Sequence, residues 1–151
     1  MIYATVVAFA PPIAAISGNA GLQTSAIVVC GLATGDLAAQ RLSQVFMREA
    51  RVALLVAVCC GLIGAIICVF LPQLLSNTAT AISFFEHLKV ALAFGAAMFS
   101  AIMVATTLGL LLPFLFRRIG IDPAISSGPL VTTANDSISV AIYMTLVLGL
   151  I

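Results

Sequence analysis

The chain has 151 residues, of which 63% are hydrophobic and 7% are charged, with a formal net charge of +1. A soluble domain carries roughly 25% charged residues, so this composition excludes a water-soluble globular fold and indicates an integral membrane protein. There is no basic run, so nucleic acid is not an expected partner, and membrane lipid is the surrounding phase.

Four uncharged or nearly uncharged stretches follow one another, and four spans of about 20 residues use the whole length. The predicted fold class is all-α: a polytopic membrane helical bundle, one domain over 1–151, with four transmembrane segments. The first stretch, Met1 to Gly35, is too long for one straight crossing. It contains Pro11-Pro12 and then Ser17-Gly18-Asn19-Ala20-Gly21, which predicts a broken or kinked helix. From Asp36 to Arg51, Leu37, Leu42, Val45 and Phe46 alternate with Gln40, Arg41, Ser43, Gln44 and Arg48. That pattern predicts an interfacial amphipathic helix capped by Asp36, with Glu49 in a surface pair beside Arg48 and Arg51.

Val52 to Leu71 carries no charge and matches one span. Val90 to Phe116 is the third, with Pro113 expected to end its regular part. Between them, Glu86, His87 and Lys89 read as solvated residues at headgroup level. The fourth span runs from Pro123 to the end and is interrupted only by Asp136. Asp122 before Pro123 reads as an N-cap with proline at the first helical position, or as a carboxylate at the cytoplasmic mouth.

Arg41, Arg48 and Arg51 lie in the 36–51 connection, Arg117 and Arg118 in 113–122, and only Lys89 in 72–89. The positive-inside rule makes 36–51 and 113–122 cytoplasmic in a multi-pass protein of the cell (inner or plasma) membrane. Both ends then face outward. Met1 opens directly into apolar sequence, so a preceding span is expected, in a fragment or in a natural short form. Cys30, Cys59, Cys60 and Cys68 all fall in apolar segments and read as packing residues.

Asp136 carries the functional signal. A carboxylate near the middle of a membrane helix costs roughly 2.5–3.5 kcal/mol on insertion scales. All six basic residues lie in the connections, so no fixed cation offsets it. Gly128, Thr132, Asp136, Val140 and Tyr143 recur at helical spacing, and Thr133, Asn135 and Ser139 widen that face with oxygens. Such a stripe is the lining of an ion path; its bland counterpart is a carboxylate that hydrogen-bonds a neighbouring helix. An oxygen-only donor set suits hard divalent cations such as Mg²⁺, Ca²⁺ or Mn²⁺, with Co²⁺ also among the candidates. One carboxylate balances half of a divalent charge, so a two-fold homodimer with two copies of Asp136 is expected.

The second constellation is Gly18-Asn19-Ala20-Gly21-Leu22-Gln23. Two glycines around an Asn either open backbone carbonyls onto a water-filled cavity or form a tight packing kink. Pro12 to Gly18 and Pro123 to Gly128 share a proline-to-glycine pattern, which points to a site between the two helices. No nucleophile–base pair or phosphate-cradling loop occurs, so the chain is not read as an enzyme.

The two constellations, in this order, resemble the membrane domain of the MgtE family of magnesium channels and transporters. The matching stretches are Ser17-Gly-Asn-Ala-Gly-Leu-Gln-Thr24 with Gly31-Leu-Ala-Thr-Gly35, and Gly120-Ile-Asp-Pro-Ala124 with Gly128-Pro-Leu-Val-Thr-Thr133 and Asp136. The resemblance implies a homodimer whose pore is lined by the first and last of these helices from both subunits. It places the family's central Mg²⁺-binding aspartate at Asp136, with Thr132 and Gly128 lining the same pore. Family members often carry Asn at the Gly128 position, and glycine there removes a ligand to the ion's water shell. The family's first membrane helix, soluble N-terminal domain and paired CBS domains are outside this chain, so gating through them does not carry over.

The expected function is passage of hydrated Mg²⁺ through a homodimeric pore. Asp136 is its ion site, and Gly18, Asn19, Gly21, Gln23, Gly128, Thr132, Asn135 and Ser139 are its lining. The alternatives are a Na⁺- or H⁺-coupled divalent cation exchanger and a non-transporting membrane assembly subunit.

Overall fold

The computed structural model describes residues 2–37, 42–75 and 84–150. They form four helices: α1 Ile2–Thr34, α2 Leu42–Leu75, α3 Phe84–Arg118 and α4 Pro123–Leu150. Each contains a segment long and apolar enough to cross a membrane, namely Val7–Thr34, Ser43–Ile67, Leu88–Arg118 and Gly128–Gly149. The chain is a multi-pass, all-helical membrane protein, as its composition requires.

Helix α3 is the hub. It packs against α1, α2 and α4, and α1 also packs against α4, whereas α2 packs mainly on α3. The burial follows this order: 44% of the α3 span is buried against 22% for α2. Ala91, Ala97, Ala101, Ala105 and Gly109 make α3 thin enough for neighbours on several sides. A Cβ added at Gly109 would run into the carbonyl of Gly21, and one at Gly21 would stand 2.9 Å from the Ala105 carbonyl oxygen. The α1–α3 crossing is therefore backbone on backbone. Further along the bundle, the Phe94 ring meets Phe9 edge-on at 5.4 Å and Tyr143 at 6.3 Å, linking α1, α3 and α4.

Three expectations need correction. Helix α1 is not broken: it continues through Pro11-Pro12 and Ser17–Gly21. Two prolines delete only two backbone donors, and Ala10, Ile13 and Ser17 around them are buried against the bundle. Pro113 does not end α3, which runs five residues past it to Arg118; Pro113 is itself fully buried. The interfacial helix of 36–51 is also absent as a separate element. Its second half is the start of α2, because Val45, Glu49, Ala53 and Ala57 form one buried row at i+4 spacing against α3. The apolar period read as amphipathic is a packing stripe that continues into the span. Residues 38–41, including Arg41, lie outside the described residues.

The turns follow from glycine. At the end of α3, Gly120 has φ +78, the Ile121 N–H donates to the Phe116 carbonyl at 2.9 Å, and the Gly120 N–H donates to that of Arg117 at 3.3 Å. This is the Schellman arrangement. At the end of α1, Gly35 has φ +84, and the Leu37 N–H donates to the Gly31 carbonyl at 3.0 Å. Asp36 belongs to this terminus and not to the next helix, since its Oδ2 accepts from the Thr34 hydroxyl at 2.8 Å.

Gly109→Ala is expected to lower stability by about 1–3 kcal/mol, the usual penalty of overpacking. Gly149→Ala, which meets nothing within 4 Å, is expected to leave it within about 0.5 kcal/mol. Thermal unfolding of both variants in detergent checks the pair.

Candidate cation site

Helix α4 starts where its sequence says. The Ala124 N–H donates to Asp122 Oδ1 at 2.9 Å, with Pro123 at the first helical position. Asp122 is thus the N-cap, and its carboxylate sits at the helix end where the dipole favours negative charge.

Along α4 the side chains sort into rows. Val131, Asn135, Ser139, Tyr143 and Val147 are buried at strict i+4 spacing and face the bundle. Gly128, Thr132, Asp136 and Val140 form the neighbouring row, half-buried except for Asp136, which is exposed. Successive helical residues are about 100° apart, so Asn135 and Asp136 cannot both face inward. The polar face expected from sequence is therefore two faces. Asn135 and Ser139 lie inside the protomer, and Tyr143 belongs to the core beside Phe94.

Helices α1 and α4 run antiparallel along a seam of small residues. A Cβ built on Gly18 would lie 3.6 Å from both Asn135 Nδ2 and Asp136 Oδ1, and one built on Gly128 would lie 3.8 Å from Leu22 Cδ2. Gly18 therefore places the α1 backbone beside the Asp136 carboxylate. Asn19 and Gln23, one turn apart, are exposed next to that seam. Gly21 is not: it is buried at the crossing with Ala105 and Val131. The Gly18–Gln23 motif thus divides, with Gly21 packing and Asn19 and Gln23 facing outward. Thr132 Oγ1 donates to the Gly128 and Pro129 carbonyls at 3.3 and 3.0 Å. Its lone pairs stay available as acceptors one turn before Asp136.

Asp136 has no basic partner among the described residues, where the only ion pair is Arg48 to Glu49. No group of three or more His, Cys, Asp or Glu side chains gathers among them either.

Glu49 is paired with Arg48 as the sequence suggests, but not at the surface. It is 6% exposed, and Arg48, whose Nε stands 3.5 Å from Oε1, is 68% exposed. Glu49 lines a cavity of about 10 Å³ between α2 and α3 with Phe46, Ala50, Met103, Thr106, Thr107 and Leu110, about the space of one water. The available signal was its i+4 relation to Val45 and Ala53, which outweighs adjacency to two arginines.

Asp122→Ala is expected to cost about 1 kcal/mol of stability, while Asp122→Asn and Asp122→Ser retain it. Thermal unfolding of the three variants separates the cap from any purely electrostatic role, which Asn and Ser would not preserve.

Comparison with known proteins matches residues 10–146 to the MgtE family, described as divalent cation transporter. The chain is 31% identical over 139 residues to the magnesium transporter MgtE of Thermus thermophilus, covering 91% of this chain and 27% of that protein. It is 32% identical over 131 residues to that of Enterococcus faecalis, covering 86% and 26% respectively. With that of Bacillus subtilis it shares 26% over 135 residues, covering 89% and 27%. The chain spans about a quarter of the length of these curated relatives.

Proposed function

The chain belongs to the MgtE family of divalent cation transporters, and on that footing we propose that it forms the membrane part of a homodimer that conducts hydrated Mg²⁺. The observation that carries this reading is the exposed Asp136 carboxylate, in the span Gly128–Gly149, with no basic partner among the described residues. Facing lipid, it would cost roughly 2.5–3.5 kcal/mol. Facing a second copy of itself across a two-fold axis, it forms a pair of carboxylates whose charge balances one divalent cation.

Two carboxylates do not fill the six positions of Mg²⁺, an ion that gives up its waters reluctantly. The ion passes with much of its shell intact, and the pore then needs acceptors for the protons of the bound waters. Asp136 supplies charged acceptors, Thr132 Oγ1 supplies lone pairs, and Asn19 and Gln23 supply amide oxygens on the α1 side. Gly128 contributes width instead of a ligand. Water-shell recognition by so few fixed groups selects by charge density more than by shape, so Mn²⁺ and Co²⁺ compete more readily than in a fully liganded site. The ion moves down its electrochemical gradient, and no nucleotide is needed.

In liposomes holding a Mg²⁺ dye, Asp136→Asn and Asp136→Ala are expected to slow influx at least about tenfold, as for loss of a charge-assisted interaction. The rate for the unmodified chain is expected to persist without Na⁺ or H⁺ gradients. Equal influx in all three proteins would point to an assembly subunit, and dependence on an imposed Na⁺ or H⁺ gradient to coupled exchange.

A further inference from the structure

Asn135 was grouped with the pore lining by its position in the sequence, yet its side chain is wholly buried, as is that of Ser17 on α1. Asn135 Nδ2 donates to Ser17 Oγ at 2.9 Å and reaches the Ala14 carbonyl at 3.4 Å. The Ser17 hydroxyl donates its own proton to the Ile13 carbonyl at 2.7 Å. Ser17 therefore has only lone pairs to offer α4, and the amide must present its NH₂ group. Turned over, it would set Oδ1 against the Ala14 carbonyl and against a hydroxyl whose proton is engaged. The contact has one polarity and one register.

We propose that Asn135 is a positioning residue for the cation site: through Ser17 it fixes the rotation of α4 about its axis, and so the direction of the Asp136 carboxylate. This rests on the reading of Asp136 as the ion site. The seam itself offers little else to set that rotation. Gly18 and Gly128 present no side chains to it, and Leu22 against Gly128 and Val131 against Gly21 meet by apolar contact, which has no preferred direction. A directional polar contact in apolar surroundings resists turning and sliding, and a single buried polar residue fixing register has precedent in helical assemblies. The leverage is direct. Asn135 and Asp136 are consecutive, and a Cβ at Gly18 would stand 3.6 Å from an atom of each. Turning one about the α4 axis turns the other by the same angle.

A second observation sets this role apart from simple helix glue. Asn135 Oδ1 is buried with no hydrogen-bond partner among the described residues. An unpartnered buried carbonyl is unfavourable, so Asn is a poor choice if stability alone is served. An apolar residue of similar size would pack there without that penalty, and would give up the orientation.

The test uses the full chain in liposomes, reading half-saturating Mg²⁺, maximal influx and thermal midpoint for each variant. Asn135→Leu and Ser17→Ala are each expected to raise half-saturating Mg²⁺ about threefold to tenfold, the range for one hydrogen bond. Maximal influx should stay near the parent value, and the Asn135→Leu midpoint should be unchanged or higher. The double variant should be no worse than the more impaired single, and the reciprocal swap Ser17→Asn with Asn135→Ser should restore much of the affinity. A shift with Asn135→Leu but none with Ser17→Ala, or additive shifts, would place Asn135 on the ion path and overturn the proposal. So would a fall in midpoint and maximal influx at constant half-saturation, the mark of a structural role. Asp136→Asn run in parallel separates the two readings. If it leaves influx intact, the ion site itself is wrong; if it suppresses influx while Ser17→Ala changes nothing, only the positioning role falls.

Discussion

The close approach of two backbones, Gly21 on α1 and Gly109 on α3, is the constraint on which the bundle depends. Lipid tails are as apolar as leucine, so no hydrophobic force drives these helices together, and packing has to do so. That contact needs both positions to lack a Cβ. It sets the height of α1 against the hub helix. Val131 of α4 meets the same point, so the crossing also sets how far α4 approaches. The seam in which Gly18 stands beside Asp136 follows from this crossing one turn away.

Polar groups inside such a bundle have two ways to be tolerated, and adjacent residues of α4 illustrate both. Asn135 turns inward and finds Ser17 and the Ala14 carbonyl within its own chain. Asp136, about 100° further round, turns outward and finds no partner cation among the described residues. The amide NH₂ is settled by one hydroxyl and one carbonyl, although Oδ1 has no partner among the described residues. A carboxylate is not, and its need extends beyond the protomer to water, a mobile ion or a second copy. The two side chains differ in that respect: the Asn135 NH₂ group is paired within the fold, and the Asp136 carboxylate has no partner cation among the described residues. Glu49 is a third case, a buried carboxylate between α2 and α3 beside Thr106 and a water-sized cavity, with one exposed arginine at its edge.

Much of the fold was legible in the sequence because the bilayer leaves few choices. Uncharged stretches of the right length become helices, since no other backbone satisfies its own hydrogen bonds in lipid. The N-cap at Asp122 was equally local. Where the reading failed, it failed on continuity. Pro11-Pro12 and Pro113 looked like breaks, and 42–51 looked like a surface helix, because proline and arginine are strong local signals. The helices run on because the residues on either side are buried against α3, a contact that local signals do not contain.

The sequence by itself determined the four membrane helices, the carboxylate at Asp136 and the small-residue character of Gly18–Gly21. It also determined which residues of a helix lie together on one side, because the helical period fixes their relative angles. Only the tertiary structure decided which side faces where. It sent Asn135, Ser139, Gly21 and Glu49 inward, and it left Asp136, Asn19 and Gln23 at the surface. The physical reason is that a helix's rotation about its own axis is no property of that helix. It is set by the neighbours it meets, here by Gly109 of α3 against Gly21, and by Asn135 of α4 against Ser17 of α1.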